Sequence, residues 1–177
     1  MKIAVVYQSK YGSTKQYATW LSEELNATLL ERKSVKPQEL LAYDLVIYGG
    51  GLYASGIAGV DLVTKNPCNK LIIFTVGAAN PVTTDYSEII NKNIPQQLQS
   101  KCKIFHLRGM LDYEKLNLVH RGMMAMMKKM TVDKKANEEF SDEDNAFVDT
   151  YGKKADFTDK AAIKPIVDYV KTLNDEK

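Results

Sequence analysis

Ser9-Lys10-Tyr11-Gly12-Ser13-Thr14 follows the apolar run Ile3-Ala4-Val5-Val6-Tyr7 and precedes a stretch carrying Tyr17, Ala18, Leu21 and Leu25. The run is short, unbroken and rich in β-branched residues, as a strand buried on both faces of a parallel sheet requires. The stretch after it places its apolar residues on one side of a helix. A hydroxyl-rich turn with one glycine therefore joins a buried strand to a helix N-terminus. The first amides of a helix have no intrahelical partner, and the helix dipole favours an anion there. Ser9, Ser13 and Thr14 add hydroxyl groups, and Gly12 lets the backbone approach a phosphate closely. The turn lacks the Gly-Lys-Ser/Thr ending of nucleoside-triphosphate loops and the Gly-x-Gly-x-x-Gly fingerprint of dinucleotide sites. Without a catalytic lysine, the loop suits a phosphate that is held rather than transferred. An ordinary turn capped by Ser or Thr is the bland alternative.

The pattern repeats outward from this turn. Leu45-Val46-Ile47-Tyr48 reads as a buried strand running into Gly49-Gly50-Gly51, and Leu71-Ile72-Ile73-Phe74-Thr75-Val76 as another, ending at Gly77-Ala78-Ala79-Asn80-Pro81. A weaker strand is expected over 28–32 and a fifth over 103–109. Helical patterns are expected over 13–25, 84–97 and 158–173, with short helical connections near 37–41 and 60–65. Such alternation implies α/β architecture, with a parallel sheet covered by helices on both faces.

With these residues in place, the chain resembles the flavodoxin family. That family opens with a short apolar strand and a Ser/Thr-x-x-Gly-x-Thr loop that holds the phosphate of FMN, and Ser9, Gly12 and Thr14 fit the pattern. The resemblance implies a flavodoxin-like, doubly wound, five-stranded parallel sheet in the order 2-1-3-4-5, with the ligand at the carboxyl ends of strands one and three. It implies that Ser9, Lys10, Tyr11, Gly12, Ser13 and Thr14 hold the phosphate. Gly51, Leu52, Tyr53, Ala54, Ser55 and Gly56 would line one side of the flavin ring, with Tyr53 stacked on it. Thr75, Val76, Gly77, Ala78, Ala79 and Asn80 would cover the pyrimidine end. Tyr53 also fits a partly buried loop tyrosine, and Asn80 also fits the start of a turn before Pro81. Ala54 stands where the family frequently has glycine.

The remaining composition agrees with a flavin protein that needs no acid–base set of its own. A chain of 177 residues is expected to form one domain. His106 falls within a strand and His120 on a helix, where a core and a solvent-facing role are the defaults. No nucleophile elbow and no metal spacing occurs. Cys68 and Cys102 lie far apart and read as half-buried thiols. No secretory signal or membrane-spanning stretch is read, so a cytoplasmic protein is expected. No nucleic-acid partner is expected.

Residues 110–155 are the departure. They separate the last strand from the last helix, where short connections are usual, and form an insertion within the domain. Leu116, Val119, Met123, Met126, Met127 and Met130 recur at helical spacing. Lys128, Lys129, Lys134 and Lys135 follow, and residues 138–149 are acidic. The methionine stripe fits a face packed on the domain. It equally fits a surface that covers the flavin edge, docks a partner, or makes peripheral membrane contact through 115–135. With this segment, including Gly109-Met110-Leu111-Asp112-Tyr113, the chain is similar to the menaquinone-dependent protoporphyrinogen oxidase branch. Flavodoxins are usually strongly acidic, whereas the formal net charge here is +2. Three roles are thus open: an FMN protein exchanging electrons with a redox partner protein, an oxidoreductase acting on a small anionic substrate with a quinone acceptor, or a binding or regulatory domain that keeps the fold without flavin.

Overall fold

The computed structural model describes residues 1–53, 55–116, 118–134 and 151–175. They form β1 (Ile3–Gln8), α1 (Ser13–Glu24), β2 (Thr28–Glu31), β3 (Leu45–Tyr53), β4 (Gly56–Ile57), α2 (Asp61–Thr64), β5 (Leu71–Gly77), α3 (Ser87–Asn93), α4 (Gln96–Gln99), β6 (Cys102–Arg108), β7 (Met110–Asp112), α5 (Leu118–Lys134), β8 (Lys154–Asp156) and α6 (Lys164–Asp175). The chain folds into two compact units, one of Met1–Gly109 with Thr158–Lys177 and one of Met110–Phe157.

The first unit is built on the sheet β2-β1-β3-β5-β6, all parallel, with β4 antiparallel on β3. This is the flavodoxin-like α/β fold with the expected order of its five parallel strands. The apolar runs alternate their side chains between two cores. Val5, Ile47, Ile72 and Phe74 pack with Tyr17 and Leu21 of α1 and Ile166 and Val170 of α6. Val6, Val46, Tyr48 and Ile73 pack on the other face with Leu40, Ile57, Val63 and Ile94. Burying each aliphatic side chain of this kind contributes about 1.5–3 kcal/mol.

Three elements differ from the sequence expectation. β3 does not stop near Gly49, the end of the strand expected over 44–49, but runs on through Gly50 and Gly51 to Tyr53. The glycines stay in the strand because neighbours need their space. A Cβ on Gly49 would lie 2.2 Å from Cζ of Phe74, and one on Gly50 would lie 2.6 Å from Cγ2 of Ile57. The helix expected over 84–97 is two pieces, α3 and α4. Pro95 supplies no N–H and forces Ile94 into the extended region, at φ −123° and ψ 118°. At the chain's end, a 3-10 turn (Lys160–Ile163) precedes α6, with the Asp159 carboxylate accepting from the Ala161 amide at 2.9 Å.

In the second unit, β7 pairs antiparallel with β8. The turn after β7 is knit together by Arg121, whose Nε donates to the Tyr113 carbonyl at 3.1 Å and whose Nη2 donates to the Glu114 carbonyl at 3.0 Å. Tyr113 meets Tyr151 edge-on at 4.9 Å, and the Lys128 ammonium lies 4.2 Å over the Tyr151 ring. Leu116 is buried, but Val119, Met126 and Met130 are exposed together with Leu118. Those residues of the methionine stripe are thus not a packed face within this unit. Lys135 and the acidic stretch 138–149 lie outside the described residues. Among the described residues, no helix is long and apolar enough to cross a membrane.

Candidate functional site

The turn 9–14 sits at the carboxyl end of β1. Gly12 adopts φ +105°, a conformation that side chains resist, and its amide donates to the Ser9 hydroxyl at 3.1 Å. The Gly12 carbonyl accepts the first helical bond, from the Gln16 amide at 2.9 Å. No side chain caps α1, and its first turn holds no acidic residue. The amides of Thr14 and Lys15 lie in that first turn, beyond the reach of any intrahelical carbonyl. A Cβ at Gly12 would meet nothing within 4 Å, so the turn opens outward. The result is a cradle of amides and hydroxyls suited to a phosphate.

The loop after β3 is a tight hairpin. Leu52 pairs with Ile57 and Tyr53 with Gly56 across β3 and β4, and Ser55 takes φ +63° at its tip. Asn93 of α3 ties it down, donating to the Ser55 carbonyl at 2.7 Å and accepting from the Ile57 amide at 3.1 Å. Tyr53 folds back over Gly51, whose Cβ would lie 2.7 Å from the Tyr53 hydroxyl. Burial raises the Tyr53 pKa, an effect that a hydrogen bond with the Lys10 backbone opposes. The Tyr53 ring also meets Tyr11 edge-on at 5.8 Å. Ala54 lies outside the described residues.

The third loop leaves β5. A Cβ on Gly77 would lie 3.1 Å from Cδ1 of Leu52, so this loop reaches the hairpin. Asn80 closes a turn, its side-chain Oδ1 accepting from the Val82 amide at 3.1 Å and its backbone carbonyl from the Thr84 hydroxyl at 2.7 Å. Beneath the loop, Thr75 is fully buried and its hydroxyl lies 2.6 Å from Nδ1 of His106. The His106 ring stacks on Tyr86 at 3.8 Å, and burial lowers its pKa, which favours the neutral imidazole. His106 is therefore a half-buried strand residue fixed by Thr75 and Tyr86.

The loops after β1, β3 and β5 thus converge at one end of the sheet, around the β1/β3 switch point where ligands of such folds bind. Two residues missed in the sequence join them. Gly109 approaches the turn 9–14 so closely that its Cβ would lie 3.1 Å from that of Ser13, and Arg108 donates from Nε to the Ala78 carbonyl at 3.0 Å. The expected position of the fifth strand already put both at its carboxyl end, which was the available signal. Cys68 and Cys102 are half-buried free thiols, Cys68 pushed up to about 11 by burial.

A family model described as flavodoxin domain matches residues 4–138. No curated protein matches the chain. Among solved structures, the chain is similar to a flavodoxin from the domain Archaea, at 17% identity and TM-score 0.41, over 60% of this chain and 84% of that one. It is similar to oxidised flavodoxin 2 from Bacillus cereus, at 19% identity and TM-score 0.43, over 61% and 86%. It is similar to two-electron reduced Megasphaera elsdenii flavodoxin, at 11% identity and TM-score 0.45, over 60% and 84%. The family match spans most of the chain and both loops flanking the switch point, so the protein belongs to the flavodoxin-domain family and is an FMN-binding electron-transfer flavoprotein.

Proposed function

We propose that the 9–14 turn holds the FMN phosphate, that residues 51–56 and 75–80 flank the flavin ring, and that the protein carries electrons to or from a reductase partner. The observation that carries this reading is the convergence of an open anion cradle with two ring-sized loops at one end of the sheet. FMN supplies the electron transfer; the chain binds, orients and shields it. Amides and hydroxyls of the turn neutralise the phosphate without transferring it. The hairpin, fixed by Asn93, holds Tyr53 for contact with the ring. Thr75 and His106 support the loop that approaches the pyrimidine end.

A second reading is an FMN-dependent oxidoreductase of the protoporphyrinogen oxidase type, taking a small anionic substrate and a quinone acceptor. The three loops favour it in one respect: residues 9–14, 51–56 and 75–80 contain Lys10 and no Asp or Glu. Such a crevice suits anions. In the second unit, the exposed Leu118, Val119, Met126 and Met130 of α5, with Lys129 beside them, form an amphipathic face suited to peripheral contact with an anionic membrane.

One experiment separates the readings. The FMN-loaded protein is mixed with a porphyrinogen and with anionic phospholipid vesicles, with or without a quinone in them. Quinone-dependent substrate oxidation, with the protein sedimenting on the vesicles, is the result expected of the oxidoreductase. Reduced protein that ignores substrate and quinone but reduces a soluble redox protein is the result expected of the carrier.

A further inference from the structure

The hairpin that carries Tyr53 returns onto the strand that leads into the 9–14 turn. The parallel pairing of β3 ends at Gly51, and β4 folds back beside Leu52 and Tyr53. The return limb, residues 57–60, then lies on the sheet. A Cβ on Gly50 would lie 2.6 Å from Cγ2 of Ile57 and 2.9 Å from the Ala58 carbonyl oxygen. Gly50 is the register partner of Gln8, the last residue of β1 and the one before Ser9. Gln8 is half-buried and meets the same limb: a Cβ on Gly59 would collide with Oε1 of Gln8 and lie 2.6 Å from the Tyr48 hydroxyl. Gly59 holds φ +65°, so its Cα presents only hydrogen to the Gln8 amide and the contact is one of shape. The fully buried Tyr48 completes the seat, its hydroxyl donating to the Ala58 carbonyl at 2.7 Å. Just beyond the limb, Asp61 at the start of α2 accepts from Nη2 of Arg32 at 2.9 Å.

We propose that Gln8 is a positioning residue for FMN: its side chain is the seat that sets the tilt of the Tyr53 hairpin relative to the 9–14 turn. The inference rests on the FMN placement proposed above. A ligand held at two places gains from the second contact only when both are correctly spaced. FMN fills the phosphate turn and meets the ring loops at once when the hairpin stands at the tilt that Gln8 sets. Riboflavin has the same ring and no phosphate, so it can follow a tilted hairpin. FMN cannot follow without leaving the turn. The seat therefore acts on the advantage of FMN over riboflavin, and Gln8 acts through the hairpin.

The test is a pair of titrations of apoprotein, with FMN and with riboflavin, followed by quenching of flavin fluorescence. Gln8→Ala, Gln8→Met and Gly59→Ala are compared with the unaltered chain. Gln8→Ala is expected to weaken FMN binding about tenfold and to leave riboflavin binding within about twofold. Gln8→Met fills the same space without an amide and should keep most of the FMN affinity. Gly59→Ala drives a Cβ into Gln8 and Tyr48 and should act in the same direction as Gln8→Ala. Unchanged FMN affinity in Gln8→Ala overturns the inference. So do equal losses for FMN and riboflavin, because the variant would then disturb the ring contact or the fold as a whole. A Gln8→Met as weak as Gln8→Ala also overturns it, since the amide would then act by hydrogen bonding and not as a seat. If Gln8→Ala does not fold, an unchanged ratio of FMN to riboflavin affinity in Gly59→Ala overturns the seat. If the unaltered protein takes up no FMN, the cofactor placement fails first and the role of Gln8 fails with it.

Discussion

Replacing Gly12 by valine is expected to weaken FMN binding roughly tenfold to a hundredfold, the equivalent of about 1–3 kcal/mol of backbone strain. The reason is conformational. Gly12 holds φ +105°, which a β-branched residue cannot adopt, while its Cβ would meet no neighbouring atom within 4 Å. The backbone must therefore leave this conformation even though space is available. Doing so breaks the Gly12–Ser9 bond and shifts the first turn of α1, whose amides form the cradle. Ser9→Ala and Thr14→Val remove a hydroxyl each and should cost about 1–3 kcal/mol of binding. Titration of apoprotein with FMN, followed by quenching of flavin fluorescence, checks all three. Unchanged affinity in Gly12→Val would put the phosphate somewhere else.

Phe74→Ala is expected to destabilise the fold by about 3–5 kcal/mol. Phe74 is fully buried at the centre of β5, and its ring fills the space left by Gly49 on β3. A loss of this size is a large fraction of the roughly 5–15 kcal/mol that holds a domain folded. The converse change, Gly49→Ala, overfills the same space and should cost about 1–3 kcal/mol. Because the two residues share one contact, Gly49→Ala with Phe74→Leu should cost less than the two changes summed. Urea unfolding of the unaltered chain, of Phe74→Ala, Phe74→Leu and Gly49→Ala, and of the double variant measures this. Strict additivity would mean that the ring does not depend on the glycine.

These two positions also mark how far the fold is legible in sequence. The 9–14 turn could be read because strand, glycine, hydroxyls and helix each carry a local signal, and they agree. The order of the parallel strands followed from alternation and the resemblance together. The run Gly49-Gly50-Gly51 misled over where β3 ends, because a glycine run usually signals a loop; here it keeps strand geometry only because Phe74 and Ile57 press on it from opposite faces. That is tertiary packing, invisible locally. The break at Pro95 was readable as an uncertain boundary, yet the restart of the helix at Gln96 was not. The pairing of Met110–Asp112 with Lys154–Asp156 joins two three-residue strands far apart in sequence, too short to show any period. Asn80 stood between turn and ring contact, and the hydrogen bond from the Val82 amide shows the turn. Arg108 was passed over because a strand-end arginine looks like any other; its meaning depends on the Ala78 carbonyl it meets.

One crevice at the carboxyl ends of β1, β3 and β5 is expected to bind a flavin with a single terminal phosphate. Heat release of the cofactor from purified, flavin-loaded protein, followed by chromatography against FMN and FAD standards, tests it most directly. FMN is expected in a one-to-one ratio with the chain, lost on dilution from Gly12→Val and retained by the unaltered protein. Recovery of FAD, or of no flavin even after incubation with FMN, would contradict it.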